Sequence, residues 1–187
     1  MNEELEILAE RSKKGDSEAY SEIVRLLQQK IFCYCLPMIG NKQDAEDAVQ
    51  EVFINAFDKL ASYRKTGSFI GWVYTIAHNV CINKINRRRR LNVLLTRFRS
   101  ENSFSQTAVN LEKTTEDTLS LLDPLNSFER SLIVLKVLHD KSYNEISLIV
   151  GGNPTMLRKK FERARAKLQR IHGKQKNLAL KEGVLID

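Results

Sequence analysis

The spacing of apolar residues constrains this chain more than any other feature: wherever that spacing is regular, it advances by three and four. Tyr20, Ile23, Val24, Leu27, Ile31 and Tyr34 form one stripe; Ala45, Ala48, Val49, Val52, Phe53, Ala56 and Phe57 form another. Those steps match a 3.6-residue turn, and no strand-like alternation bounded by turn pairs competes with them. The three prolines, Pro37, Pro124 and Pro154, stand near plausible helix ends. The pattern implies an all-α fold of two small helical domains joined by a flexible linker, for which 187 residues leave room.

Punctuation sets the expected boundaries. A short first helix ends near Lys14-Gly15, Asp16 or Ser17 caps a second, and Gly40-Asn41 breaks the chain. A third helix runs from about Asp44 to Leu60, a loop covers Ala61 to Gly67, and a fourth helix spans about Ser68 to Arg89. Ser, Thr, Asn, Gln and Glu dominate residues 100–118, which read as a linker. The expected divisions are a domain over 1–90, a linker over 91–118, a second domain over 119–172 and a tail over 173–187. In the second domain, Asn126 with Glu129 and Ser142 with Glu145 resemble capping boxes, and Asn153-Pro154 reads as an N-cap before a first-turn proline. Helices follow over about Ser127–His139, Tyr143–Val150 and Pro154–Ile171. The Gly151-Gly152 turn between the last two gives a helix-turn-helix pattern.

Charge is strongly segregated. Residues 84–99 hold seven Lys/Arg and no acid, and residues 158–176 hold nine with one acid. Together they carry +15 against +7 for the whole chain, which leaves −8 on the rest. Two cationic blocks on an acidic body read as two phosphate-contacting surfaces. Cys33, Cys35 and Cys81 lack paired spacing for zinc and read as reduced thiols. No apolar run reaches the ~18–20 residues a bilayer span needs, and Met1-Asn-Glu-Glu-Leu-Glu is acidic where a signal peptide is basic. The expectation is a cytoplasmic protein without membrane insertion. His78, His139 and His172 stand apart from any nucleophile or carboxylate set, so no enzyme, metal or cofactor is expected.

Three segments carry a family resemblance. Asp44-Ala-Glu-Asp-Ala-Val-Gln-Glu-Val-Phe-Ile-Asn-Ala-Phe57 resembles the core-binding helix of extracytoplasmic-function sigma factors of the sigma-70 family. Phe69-Ile-Gly-Trp-Val-Tyr-Thr-Ile-Ala-His-Asn79 resembles their promoter-melting segment. Ser142-Tyr-Asn-Glu-Ile146 with Arg163-Ala-Arg165 and Leu168 resembles their C-terminal helix-turn-helix. The likeness covers roughly residues 16–90 and 119–170 in the expected order. It implies a region 2-type four-helix domain and a region 4-type domain that bind core RNA polymerase and direct promoter recognition and opening.

The resemblance also distributes roles. Asp44, Asp47, Gln50, Glu51 and Ile54 would meet the clamp of the polymerase's largest subunit, and the β-flap is a further expected contact on the core polymerase. The loop over 61–68, with Ser62, Lys65, Thr66 and Ser68, would hold an unpaired non-template base of the −10 element. Its polar side chains suit a base held out of its stack. On the fourth helix Phe69, Val73, Ile76, Ala77 and Val80 make an inward stripe. His78, Asn79, Asn83, Asn86, Arg87 and Arg88 offer polar groups to the −10 DNA. Trp72 and Tyr74 suit base stacking or simple packing, and their residue types leave both open. Arg87–Arg90 suits backbone phosphates. Leu91, Val93, Leu94, Leu95 and Phe98 would lie where the family's linker passes through the polymerase.

Thr155, Arg158, Lys159, Glu162 and Arg163 would face the −35 major groove. There the helix opens on Thr155-Met156-Leu157, where the family commonly has Gly-Thr-Val. Met156 replaces a hydroxyl suited to phosphate, so weak upstream recognition is expected. Two alternatives stay open: a sigma-like subunit brought to DNA by a tethering partner, and a stand-alone helix-turn-helix regulator. An anti-sigma factor is a further candidate partner. A transposase or recombinase would need clustered carboxylates or a placed nucleophile, and no such arrangement is apparent.

Overall fold

A small capping network fixes the first turns of the chain. The Asp16 carboxylate accepts from the Ala19 N–H at 3.0 Å and pairs with Arg11 at 2.7 Å, which ends α1 (Asn2–Lys13) and starts α2 (Ser17–Ile39). Gly40, at φ 93°, closes α2 with its N–H on the Leu36 carbonyl. Asn41 then caps α3 (Lys42–Lys59) by accepting from the Asp44 N–H at 2.8 Å. A single tight turn (Leu60–Ser62) leads to α4 (Phe69–Glu101). The computed structural model describes residues 2–65, 67–101 and 121–181, with side chains through 95 in the second stretch and through 171 in the third.

The chain divides into two compact units, Met1–Thr115 and Glu116–Asp187. In the first, α2 packs against α1, α3 and α4. Leu27, Ile31 and Tyr34 of α2 are fully buried, as are Val73 and Ala77 of α4 and Leu5 of α1. From α3 come Ala45, Ala48, Val52 and Ala56 at three- and four-residue steps; three of the four are alanines, and small side chains let helix backbones approach closely. Each fully buried Leu or Ile contributes about 1.5–3 kcal/mol relative to exposure. Tyr34 meets Tyr74 edge-on, ring centroids 5.7 Å apart, and so joins α2 to α4.

The second unit holds α5 (Ser127–Ile133), α6 (Tyr143–Val150) and α7 (Pro154–Lys181). Both expected capping boxes are formed: Asn126 with Glu129, and Ser142 with Glu145. Leu132, Val134, Leu135, Ile146, Leu157 and Ala164 make its core.

Several expectations need correction. Phe57, read as inward, is 56% exposed; α3 has turned its core face past it, and its ring meets Tyr20 edge-on at 4.9 Å. Val49 is only half-buried. The fourth helix does not stop near Arg89 but runs to Glu101, because no glycine or proline interrupts Arg89 to Glu101. The expected linker over 91–118 therefore lies partly on α4 and otherwise outside the described residues. The helix expected over Ser127–His139 widens after Ile133. There His139 N–H reaches back five residues to Val134, Lys141 N–H reaches Leu135, and Asp140 takes φ 45° to end the turn. Likewise α7 continues beyond Ile171 to Lys181.

Candidate nucleic-acid interface and acidic docking face

On α3, Asp47, Gln50, Glu51 and Ile54 are exposed and share one face through three- and four-residue steps; Ile54 is 63% exposed. Asp44 begins that face but also accepts from Asn41 Nδ2 at 2.6 Å, so it belongs to the helix cap as well. Glu51 pairs with Lys84 of α4 at 3.4 Å, linking the acidic face to the cationic helix.

The loop before α4 is tied locally. Ser62 Oγ donates to the Lys59 carbonyl at 2.7 Å, and Lys65 is exposed. Thr66 lies outside the described residues. Ser68 Oγ accepts from the Gly71 N–H at 3.2 Å, and a Cβ on Gly71 would stand 3.0 Å from that oxygen. Glycine here leaves room for the serine hydroxyl. Trp72 is half-buried, with Tyr63 at 5.1 Å and Phe69 at 5.4 Å. Behind the loop, Glu6 accepts from the Phe69 N–H at 2.8 Å and from the Tyr63 hydroxyl at 3.1 Å, and Lys13 Nζ donates to the Tyr63 carbonyl at 2.8 Å. Sequence reasoning missed Glu6 and Lys13. Their partners lie about 50 to 63 positions away, and one Glu among four and one Lys on a short charged helix carry no local signal.

Along α4 the inward stripe is as expected: Phe69, Val73, Ile76, Ala77 and Val80 are all buried. Asn79, Asn83, Asn86, Arg87 and Arg88 are exposed. Arg87 and Arg88 line a groove shared with Ile39, Ile85, Leu91 and Leu95. Two expected contacts are drawn inward. Tyr74 is only 2% exposed and packs on Tyr34, so its ring offers no face to a base, and the reading that gave it one is corrected. His78 is half-buried, with Nδ1 3.1 Å from the Tyr34 hydroxyl, and burial pushes its pKa below the ordinary value.

In the second unit, Gly151 (φ 77°) and Gly152 (φ 94°) make the turn into α7, and Asn153 accepts from the Thr155 N–H at 2.8 Å. The Met156 side chain folds back over Gly152, where a Cβ would stand 2.6 Å from its terminal carbon. Leu157, Phe161 and Ala164 face the core, which leaves Thr155, Arg158, Lys159, Glu162 and Arg163 exposed. Glu162 and Arg165 lie 3.8 Å apart. Among the described residues no group of three or more His, Cys, Asp or Glu is placed to hold a metal ion, and no described helix is long and apolar enough to cross a membrane.

Residues 23–91 match the Sigma-70 region 2 family. The ECF RNA polymerase sigma-E factor of Escherichia coli (strain K12) is 30% identical over 180 residues, covering 88% of this chain and 93% of that protein. This chain belongs to the ECF RNA polymerase sigma factors. The sigma factor is also 29% identical over 171 residues to SigW of Bacillus subtilis (strain 168), covering 84% and 91% of the two chains. Two solved structures share the fold. CnrH in complex with the cytosolic domain of CnrY has a TM-score of 0.67 at 23% identity, covering 89% of this chain and 96% of that one. RpoE of Bartonella quintana in complex with the anti-sigma factor NepR has a TM-score of 0.64 at 20% identity, covering 82% and 96%. In this sigma factor the region 2 match takes in most of α2, all of α3 and α4 as far as Leu91.

Proposed function

We propose that this sigma factor binds core RNA polymerase through α3, directs it to promoters and opens the DNA with α4 and the loop before it. The observation that carries the reading is the side-by-side placement of two unlike exposed faces in one unit. One is acidic with Ile54 at its edge; the other is Asn- and Arg-rich. Asp47, Gln50, Glu51 and Ile54, with Asp44, would meet the largest subunit's clamp. Opposite charge at such a rim speeds encounter and fixes register. Asn79, Asn83, Asn86, Arg87 and Arg88 would take the −10 strand, with Ser62, Lys65, Thr66, Ser68 and the open side of Trp72 around an extruded base. Residues 1–90 then form the polymerase and −10 domain. Residues 119–172 form the −35 domain, reading the upstream duplex with Thr155, Arg158, Lys159, Glu162 and Arg163 and meeting the β-flap. An anti-sigma factor is a fitting antagonist, because NepR is one for a protein of this fold. With Met156 folded over Gly152 in place of a phosphate-facing hydroxyl, upstream affinity is expected to be modest.

The test separates the two faces. Asp47→Arg with Glu51→Arg should weaken core polymerase binding about tenfold or more, since like charges across an interface cost several kcal/mol. Asn83→Ala with Arg87→Ala should leave that affinity intact and reduce open-complex formation. Unimpaired opening by the second pair would overturn the assignment of the DNA face.

A further inference from the structure

Tyr63, in the loop before α4, is held from α1 by both its carbonyl and its hydroxyl. Its carbonyl accepts from Lys13 Nζ at 2.8 Å, and that ammonium also reaches Glu10 at 2.9 Å and lies 5.0 Å from the Tyr63 ring centre. The Tyr63 hydroxyl donates to the Glu6 carboxylate, 3.1 Å from each oxygen. The same carboxylate accepts from the Phe69 N–H at 2.8 Å, so it also caps the first turn of α4. A helix N-terminus presents donors without intrahelical partners and favours negative charge, so a carboxylate placed there is held firmly. Between these anchors the Tyr63 ring is 4% exposed, edge-on to Phe69 at 5.2 Å and 5.1 Å from Trp72.

We propose that Glu6 and Lys13 are positioning residues for the unpaired −10 base: from α1 they fix Tyr63, and through it the wall beside Trp72 and the path of the chain toward Lys65. The inference rests on the reading of this loop as the base-holding element. A base leaves its stack at a cost of a few kcal/mol, and a site that must order itself during binding adds to that cost. Glu6 and Lys13 remove the second cost by holding the loop before DNA arrives. They touch no base themselves. They set how well the loop distinguishes one base from another.

The experiment uses holoenzyme reconstituted from the full chain and core polymerase, with single-stranded non-template oligonucleotides carrying each of the four bases at successive −10 positions. Wild type should show a clear preference at one position. Glu6→Ala should reduce affinity for the preferred base about five- to tenfold, the scale of one ordinary net hydrogen bond, and should narrow the preference over the other bases. Affinity for core polymerase should not change. Glu6→Gln, which keeps an acceptor for Phe69 and a polar partner for Tyr63, should restore most of the preference. Tyr63→Phe keeps the ring packing, removes only the hydroxyl, and should narrow the preference even if Glu6→Ala folds poorly. Uniform loss across all four bases, in step with melting temperature or core affinity, would reduce the network to a structural support and overturn the proposal. Unchanged preference in both Glu6→Ala and Tyr63→Phe would do the same. No preference in wild type would overturn the reading of the loop itself and this proposal with it.

Discussion

His78 shows how a single side chain can leave the role its sequence position gives it. It falls one turn beyond Tyr74 on the flank of α4, and α2 crosses that flank, so the imidazole comes within 3.1 Å of the Tyr34 hydroxyl and loses solvent. Burial disfavours the cation and lowers its pKa from the usual value of about 6.5. The folded protein then binds fewer protons than the unfolded chain in the window just below that value. Stability is therefore complete at neutral pH, falls as pH drops through about 6.5, and stops falling once pH is below the folded pKa. Urea titrations between about pH 7.5 and pH 5 should show this slope, and His78→Gln should flatten it; equal slopes in the two proteins would remove His78 as its cause. The lowered carboxyls of Asp16, Glu22 and Glu145 titrate below this window. Tyr74 is the parallel case. Periodicity sorts α4 into an inward and an outward side correctly at Val73, Ala77, Asn83 and Arg87, yet a residue on the border is decided by the neighbouring helix, which the period does not encode.

At the scale of elements, starts and the ends marked by Gly15, Gly40 and Gly151 were legible, but the ends of α4 and α7 were not, for a physical reason. A helix start needs a side chain that accepts from the first free N–H groups, and Asp16, Asn126 and Ser142 do so. A helix end needs only that something interrupts it. Nothing in Arg89–Glu101 or His172–Lys181 beyond Gly173 does, so α4 and α7 run past the boundaries set by fading apolar pattern. The widened turn over Val134–Leu138 has no residue signature of its own; it is the geometry that buries Val134 and Leu135 while delivering the chain to Ser142. The cap of α6 gives a direct check. Ser142 Oγ both accepts from the Glu145 N–H at 3.2 Å and lies 2.8 Å from the Glu145 carboxylate. Ser142→Ala should cost about 1 kcal/mol, read as about fivefold faster hydrogen exchange at the amides of α6. Exchange unchanged there would show that Glu145, with Lys141 at 3.0 Å, holds the turn alone.

Across the whole molecule the decisive property is the division of charge: +15 on residues 84–99 and 158–176, −8 on the rest. Composition reveals that division, but only the fold shows which of those cations point outward. Arg87 and Arg88 are exposed on α4, as are Arg158, Lys159 and Arg163 on α7, while Lys84 is engaged by Glu51 and Lys167 by Glu129. Exposed cations that neutralise DNA phosphates release counterions, and each steepens the fall of affinity with salt by about 0.9 in log–log slope. Replacing Arg87 and Arg88 by Gln should thus lower the slope for promoter binding by holoenzyme by about 1.8, and replacing Arg158 and Lys159 should do the same. If both units grip one promoter, the fourfold variant loses about 3.6, because contacts to separate phosphates add. A fourfold variant no shallower than one of the pairs would mean that only one cationic segment meets the backbone. Were the silent pair Arg158 and Lys159, the modest upstream affinity expected from Met156 would become no upstream backbone contact at all, and promoter choice would rest on α4 and the loop that Glu6 holds.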